Sequence, residues 1–317
     1  MFKKIIKEIK KYDDIFIVRH IGADPDALCS QHALKHLILD NFKNKNVYIT
    51  GMMSSKFRWL GKNDRLEDEE LYEKAKNALL IVVDTPDIKR IDSIDISNFK
   101  SVIKMDHHPL VDDFGGLEYI DDKACSATQV LLEFALEMKL KISKETAEKL
   151  FIGIVSDSNR FLFDYTSLKT LQLVTKLIEL TNINFTSLYE NLYLRPIQEI
   201  RFQGYIYQNI NVTENGLGYL KLDNETLSKY NVDSSTAGNM INNLSFIDEI
   251  IVWVIASEDV KNNITKVSIR SRGPIINEVA ANYGGGGHIY ASGVRLKNKD
   301  EIDNIIEDLD EICRKYD

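Results

Sequence analysis

The sequence predicts an α/β fold in two parts, a doubly wound and mainly parallel sheet followed by a smaller α/β domain. Three observations carry this. The N-terminal half alternates short, wholly apolar runs with stretches of helical periodicity, the pattern of parallel strands covered on both faces. Helical patterning then runs from 184 to 208, broken only at Arg195-Pro196, where proline disfavours helix in the residue before it. Finally, 317 residues exceed one average domain and leave each part enough chain to bury its own core.

The elements follow in order. The opening MFKKIIKEIKKYDD sets Phe2, Ile5, Ile6, Ile9 and Tyr12 at helical spacing between lysines, an amphipathic helix and not a signal peptide. Strands are expected at 15–18, 47–50, 79–83 and 102–105, and helices at 26–39, 128–138, 144–154 and 168–180. A first domain over 1–185 passes through a helical linker at 186–208 into a second domain at 209–317. That domain carries strand-like segments at 209–212, 217–222, 250–256 and 266–270, then a glycine run and a last amphipathic helix near 299–314.

Composition bounds the function. With 44% hydrophobic and 28% charged residues, the chain reads as an ordinary globular protein. No apolar run approaches the ~20 residues of a membrane span, so no membrane partner and a cytoplasmic location are expected. Cys29, Cys125 and Cys313 are odd in number and lack CxxC spacing, which argues for reduced thiols over disulfides or a zinc ribbon. The net charge of -8 leaves no basic face for a long duplex; a nucleotide substrate would be short and held at a few points.

The residues able to do chemistry collect after the apolar strands. The first strand gives way to Arg19-His20-Ile21-Gly22-Ala23-Asp24-Pro25-Asp26, the third ends at Asp84 and the fourth at Asp106-His107-His108. Ligands of open α/β sheets bind outside the carboxyl ends of the strands, so three separate regions deliver carboxylates and imidazoles to one edge. A helical pattern ending at Asp157 adds a fourth. Any one such aspartate is most often a cap or turn residue; the recurrence is what points to a site. Oxygen and imidazole ligands without thiolate suit manganese, magnesium or cobalt, and the set exceeds what one ion can use. Two divalent ions about 3.5 to 4 Å apart clamp a phosphoryl group during in-line displacement, which predicts phosphoester or phosphoanhydride hydrolysis. His32 and His36, one helical turn apart without a carboxylate partner, read as ordinary helix residues.

These segments, with the 20–30 run and Val82-Val83-Asp84-Thr85, resemble the four motifs of the DHH phosphoesterase superfamily. Arg270-Ser271, Gly284-Gly285-Gly286-Gly287-His288 and Ala291-Ser292-Gly293 resemble its associated DHHA1 domain. Size and tail are similar to the nanoRNase group, which implies hydrolysis of short oligoribonucleotides, 5'-phosphorylated dinucleotides such as pApA and 3'-phosphoadenosine 5'-phosphate, with cyclic di-AMP a further candidate. The resemblance implies two metal ions, Mn2+ foremost with Mg2+ or Co2+ as alternatives. His20, Asp24 and Asp84 would hold one, Asp26, Asp84, His107 and Asp157 the other, and Asp84 would bridge. His108 would act as the catalytic group toward the phosphate, oriented by Asp106. The chain departs from the family at Ala23, Pro25, Cys29 and Ser158-Asn159, none of them a ligand position, although the last pair lies where substrate preference is set.

In the second domain, the four glycines before His288 offer backbone N–H groups without side-chain obstruction, and with Arg270 and Arg272 they form a candidate clamp for a terminal phosphate. A plain turn is the alternative for the glycines, and a surface arginine is an equal alternative to a substrate contact for Arg160. A cleft closing over substrate would limit its length. A homodimer is compatible with such a chain. Competing functions are an inorganic pyrophosphatase, disfavoured by the tail; a processive single-strand exonuclease, disfavoured by charge; and a non-catalytic nucleotide sensor, disfavoured by the intact ligand set.

Overall fold

Five strands build the first sheet: β1 (Asp14–Val18), β2 (Asn46–Ile49), β3 (Leu79–Val83), β4 (Ser101–Asp106) and β5 (Leu117–Ile120). The structure is a computed structural model, describing residues 1–64 and 66–316. All neighbouring strands pair in parallel, in the order β2-β1-β3-β4-β5. The inner strands are buried on both faces. Ile15 and Ile17 of β1 enter the larger core, whereas Phe16 and Val18 enter a smaller one behind the sheet. That two-sided burial is why these strands read as continuous apolar runs. β5 was not expected, because its Leu-Glu-Tyr-Ile sequence alternates and every residue is only partly buried, as suits an edge.

Helices α1 (Phe2–Lys11), α2 (Pro25–Asn41), α4 (Ala127–Glu137), α5 (Lys144–Asp157), α6 (Leu168–Thr181) and α7 (Phe185–Tyr193) contribute to the larger core. The other face carries α3 (Asp68–Ala75) and two short 3-10 turns, Ile88–Arg90 and Ile96–Asn98, which replace a full crossover helix between β3 and β4. The three cysteines are free and buried.

The chain divides at Leu194/Arg195 into two units. Of the two helices flanking Arg195-Pro196, α7 packs in the first unit's core. α8 (Ile197–Asn209) sends Phe202 and Ile206 into a core of the second. The second unit is a six-stranded sheet of β6 (Asn211–Val212), β7 (Leu217–Leu222), β8 (Val252–Asp259), β9 (Ile264–Ser271), β10 (Gly286–His288) and β11 (Ala291–Leu296). Its order is β10-β11-β9-β8-β7-β6, with only β7 and β8 parallel. One face is covered by α11 (Asn277–Asn282) and α12 (Glu301–Lys315); the other by α8, α9 (Asn224–Lys229) and α10 (Ser234–Asn239). No helix among the described residues is long and apolar enough to cross a membrane.

Candidate metal and phosphate site

In the 2-1-3-4-5 strand order, the chain reverses direction across the sheet between β1 and β3, and the crevice at their carboxyl ends is where such folds place ligands. The expected residues meet there. His20, two residues past β1, sets its Nε2 3.5 Å from Asp84 Oδ2 and 3.9 Å from Asp24 Oδ2. His107, following β4, sets its Nε2 3.3 Å from Asp84 Oδ1 and 3.5 Å from Asp157 Oδ2. Ligand atoms fall into three sets, each lying within 4.8 Å: His20, Asp24 and Asp84; Asp26, His107 and Asp157; and Asp84, Asp106, His107 and His108. His32 lies outside these sets, buried against Gly61, and His36 meets Glu145 at 3.2 Å.

Local structure accounts for each position. Asp24 caps α2, accepting from the Ala27 N–H at 3.0 Å, and Pro25 opens the helix with its φ already suitable. Asp84 takes a left-handed φ of +50° directly after β3 and is 2% exposed. Asp106 ends β4 fully buried, and its Oδ1 accepts from the N–H groups of His107 and His108 at 2.8 and 3.2 Å and from His108 Nδ1 at 2.9 Å. It therefore shapes the turn carrying both histidines. Asp157 is the last residue of α5, three residues beyond the helix end read from sequence.

The donor set fits divalent cations. His20 Nδ1 faces the Ile21 carbonyl at 2.9 Å and His107 Nδ1 faces that of Ala124 at 3.3 Å, so each ring's Nδ1–H is engaged and its Nε2 is left for Asp84. Metal-binding histidines are held in this way. A bare imidazole lone pair facing a carboxylate is repulsive unless a proton or cation lies between them. Buried Asp84 Oδ1 has no hydrogen-bond partner among the described residues. Without a cation, the strain appears as protonation. Burial pushes the Asp26 carboxyl well above its ordinary range, with the Asp84 charge adding to it; Asp157 rises through burial and then the Asp26 charge. For His107, burial opposes the charged form, but the adjoining Asp84 together with the charges of Asp26 and Asp157 outweighs it and lifts the ring to about 10. Asp84 itself, despite burial, is held below the carboxylate range by the adjoining His107 and His20 rings. Bound cations would replace these protons.

The remaining expected residues are distributed. Arg160 lies in a run of three left-handed residues, Asn159, Arg160 and Phe161, with its guanidinium 5.0 Å from the Tyr193 ring. Arg272 donates to the carbonyls of Ile247, at 2.7 Å, and Ile250, so its guanidinium holds the segment leading into β8. Arg270 donates to Asn242 Oδ1 at 3.3 Å and to the Ile269 carbonyl at 2.9 Å. Register places His288, Ala291 and Arg270 in one row across β10, β11 and β9. The glycines divide by role: Gly284, at φ +72°, ends α11, whereas Gly286 and Gly287 form β10. A Cβ on Gly287 would stand 2.4 Å from the Ala291 carbonyl oxygen, so close strand pairing explains that glycine.

Sequence reasoning missed Arg90, whose Nη2 lies 3.3 Å from His20 Nδ1, and Lys104, fully buried, which donates to the carbonyls of Pro86 and Asp112 at 2.9 and 3.1 Å and so ties down the turn after Asp84. A lysine inside an apolar strand was the available signal for the second. It also missed Thr128 and Gly153, which surround Asp26.

Residues 14–154 match the DHH family, N-terminal domain, and residues 214–315 match the DHHA1 domain. Over 313 residues the chain is 36% identical to the probable bifunctional oligoribonuclease and PAP phosphatase NrnA of Streptococcus mutans, covering 99% of each chain. It is 34% identical over 319 residues to the bifunctional oligoribonuclease and PAP phosphatase NrnA of Bacillus subtilis, covering all of both. The chain belongs to the DHH/DHHA1 phosphoesterase superfamily. The DHH triplet of this member is Asp106-His107-His108, and its DHHA1 segment contains the β9–β11 row. An exopolyphosphatase-related protein from Bacteroides fragilis has the same fold, with a TM-score of 0.88 at 23% identity, covering 99% of this chain and 97% of that one.

Proposed function

We propose that this DHH/DHHA1 protein is a two-metal hydrolase of short oligoribonucleotides, 5'-phosphorylated dinucleotides and 3'-phosphoadenosine 5'-phosphate. The observation that carries the reading is the pair of Nε2 atoms, from His20 and His107, converging on the two oxygens of buried Asp84 with Asp24, Asp26 and Asp157 around them. Full-length similarity to relatives named for oligoribonuclease and PAP phosphatase activity supports the substrate class.

In this reading His20, Asp24 and Asp84 hold one ion and Asp26, Asp84, His107 and Asp157 the other. When bound, divalent cations, Mn2+ foremost, neutralise phosphoryl oxygens and lower the pKa of the attacking water. His108, with Nδ1 fixed by Asp106, is left with Nε2 for a phosphoryl oxygen or the leaving group. Asp106 keeps the ring in that orientation. Arg270 and His288, in one row, are assigned to a terminal phosphate, a task suited to the guanidinium fork. The net charge of -8 agrees with short substrates in place of long duplexes, and the reading places the enzyme in the cytoplasm.

The test is a kinetic panel of pApA, 3'-phosphoadenosine 5'-phosphate, cyclic di-AMP and short RNA with Mn2+, with Asp84→Ala as blank. Turnover of the linear substrates that vanishes in the blank is the expected result. Binding without turnover would make the protein a sensor.

A further inference from the structure

Asp26 is held by three hydrogen bonds, and all of them come from a helix over a hundred residues away. Its Oδ1 accepts from the Thr128 hydroxyl at 2.5 Å and the Thr128 N–H at 3.1 Å, and its Oδ2 from the Ala127 N–H at 2.7 Å. Ala127 and Thr128 are the first two residues of α4, whose own cap, Ser126, takes the Gln129 N–H at 3.0 Å. The first N–H groups of a helix have no partner within it, and the positive end of its dipole favours an anion. Asp26 supplies both needs and is held between α2 and α4. Gly153 of α5 completes the enclosure, because a Cβ there would stand 2.4 Å from Thr128 Cγ2 and 2.7 Å from Asp26 Oδ1. Thr128 is fully buried and Asp26 only 1% exposed.

A carboxylate offers about four acceptor directions. Thr128 takes two on Oδ1 and Ala127 one on Oδ2, leaving Oδ2 as the oxygen with a free direction. We propose that Thr128 is a positioning residue for metal binding: its hydroxyl and N–H saturate Asp26 Oδ1 and thereby present Oδ2 as a single-oxygen ligand beside His107 and Asp157. This rests on the two-metal reading and adds a residue to it. Groups that orient metal ligands cost roughly 10- to 100-fold in metal affinity when removed.

The experiment is calorimetric titration of Mn2+ into the chelator-stripped full chain, wild type against Thr128→Val, Thr128→Ser, Asp26→Asn and the Thr128→Val/Asp26→Asn double variant, with urea unfolding of each. Valine keeps the shape and the N–H but deletes the hydroxyl donor. The expected result is two Mn2+ sites in wild type, one of them weakened roughly 10- to 100-fold in Thr128→Val. Serine should restore it, and valine should cause no further loss in the Asp26→Asn background. Unchanged Mn2+ affinity in Thr128→Val overturns the proposal, as does a serine variant as weak as valine, since serine keeps the hydroxyl donor. Should valine prevent folding, Thr128→Ala is read against the same serine control. If wild type binds no Mn2+, the two-metal reading falls and this one with it.

Discussion

Gly153→Ala tests the geometry around Asp26 by the sign of its effect on stability. Gly153 lies inside α5, where alanine is favoured over glycine by about 1 kcal/mol, so propensity alone predicts a gain. Space predicts the reverse. The new methyl would stand 2.4 and 2.5 Å from Thr128 Cγ2 and Oγ1 and 2.7 Å from Asp26 Oδ1. None of these atoms gives way easily, since Thr128 is β-branched and hydrogen-bonded and Asp26 is held by three donors. Overpacking of this kind costs about 1–3 kcal/mol, and pulling the Thr128 hydroxyl off a carboxylate costs about 1.5–3 kcal/mol more. Against the propensity gain, the net is a loss of roughly 1.5–5 kcal/mol. For a unit of this size each kcal/mol moves Tm by about 2–4 °C, so thermal unfolding in chelator should show a fall of several degrees. Mn2+ affinity should fall in the same variant. A Tm that rises by a few degrees would refute the packing argument.

Asp84→Ala removes the carboxylate proposed to serve both ions, whose oxygens face the Nε2 atoms of His20 and His107, and should abolish turnover of pApA while leaving the fold's circular dichroism intact; residual turnover near wild type would sink the shared-ligand proposal. Adding Mn2+ at a hundred times its Kd to stripped protein should raise stability by about 2.7 kcal/mol, read as a concentration-dependent Tm; no shift would count against a metal bound by the native state. His32 supplies a pH test. Burial, then the charges of Lys149, His36 and Lys35, push its pKa down to about 4 from an ordinary 6.5. Between those values the unfolded chain binds a proton that the folded chain refuses, so stability falls as pH drops below 6.5. From pH 7.5 to 6 the His32 contribution amounts to about 1 kcal/mol, and urea midpoints of wild type and His32→Gln should converge by that amount. Parallel midpoints would show that His32 titrates normally.

Much of the candidate site was legible because its carboxylates and imidazoles sit where apolar strands stop. A run such as Leu79–Val83 is apolar only if both faces are buried, and the first charged residue past it, Asp84, must then lie at the sheet's carboxyl edge. The same reasoning reaches His20 and His107. It does not reach Thr128, whose position at the start of an apolar helix reads as an ordinary first-turn residue until α4 is seen to point at Asp26. Nor does it reach β10, because three residues, two of them glycine, carry no strand pattern of their own; pairing with β11 creates the strand. Arg272 stood beside Arg270 as a further candidate for the phosphate clamp, and the carbonyls of Ile247 and Ile250 claim its guanidinium.

The sequence alone determined the α/β class and pointed to the carboxylates and imidazoles that the fold gathers at one sheet edge, because hydrophobic periodicity and the identity of the residue after each strand are local properties. Tertiary structure decided which oxygen of Asp26 and of Asp106 takes most of the hydrogen bonds, which ring nitrogen faces Asp84 and which glycine exists only to make room. Those depend on hydrogen bonds and close approaches between segments as distant as Asp26 and Thr128, and such contacts exist only once the helices are packed.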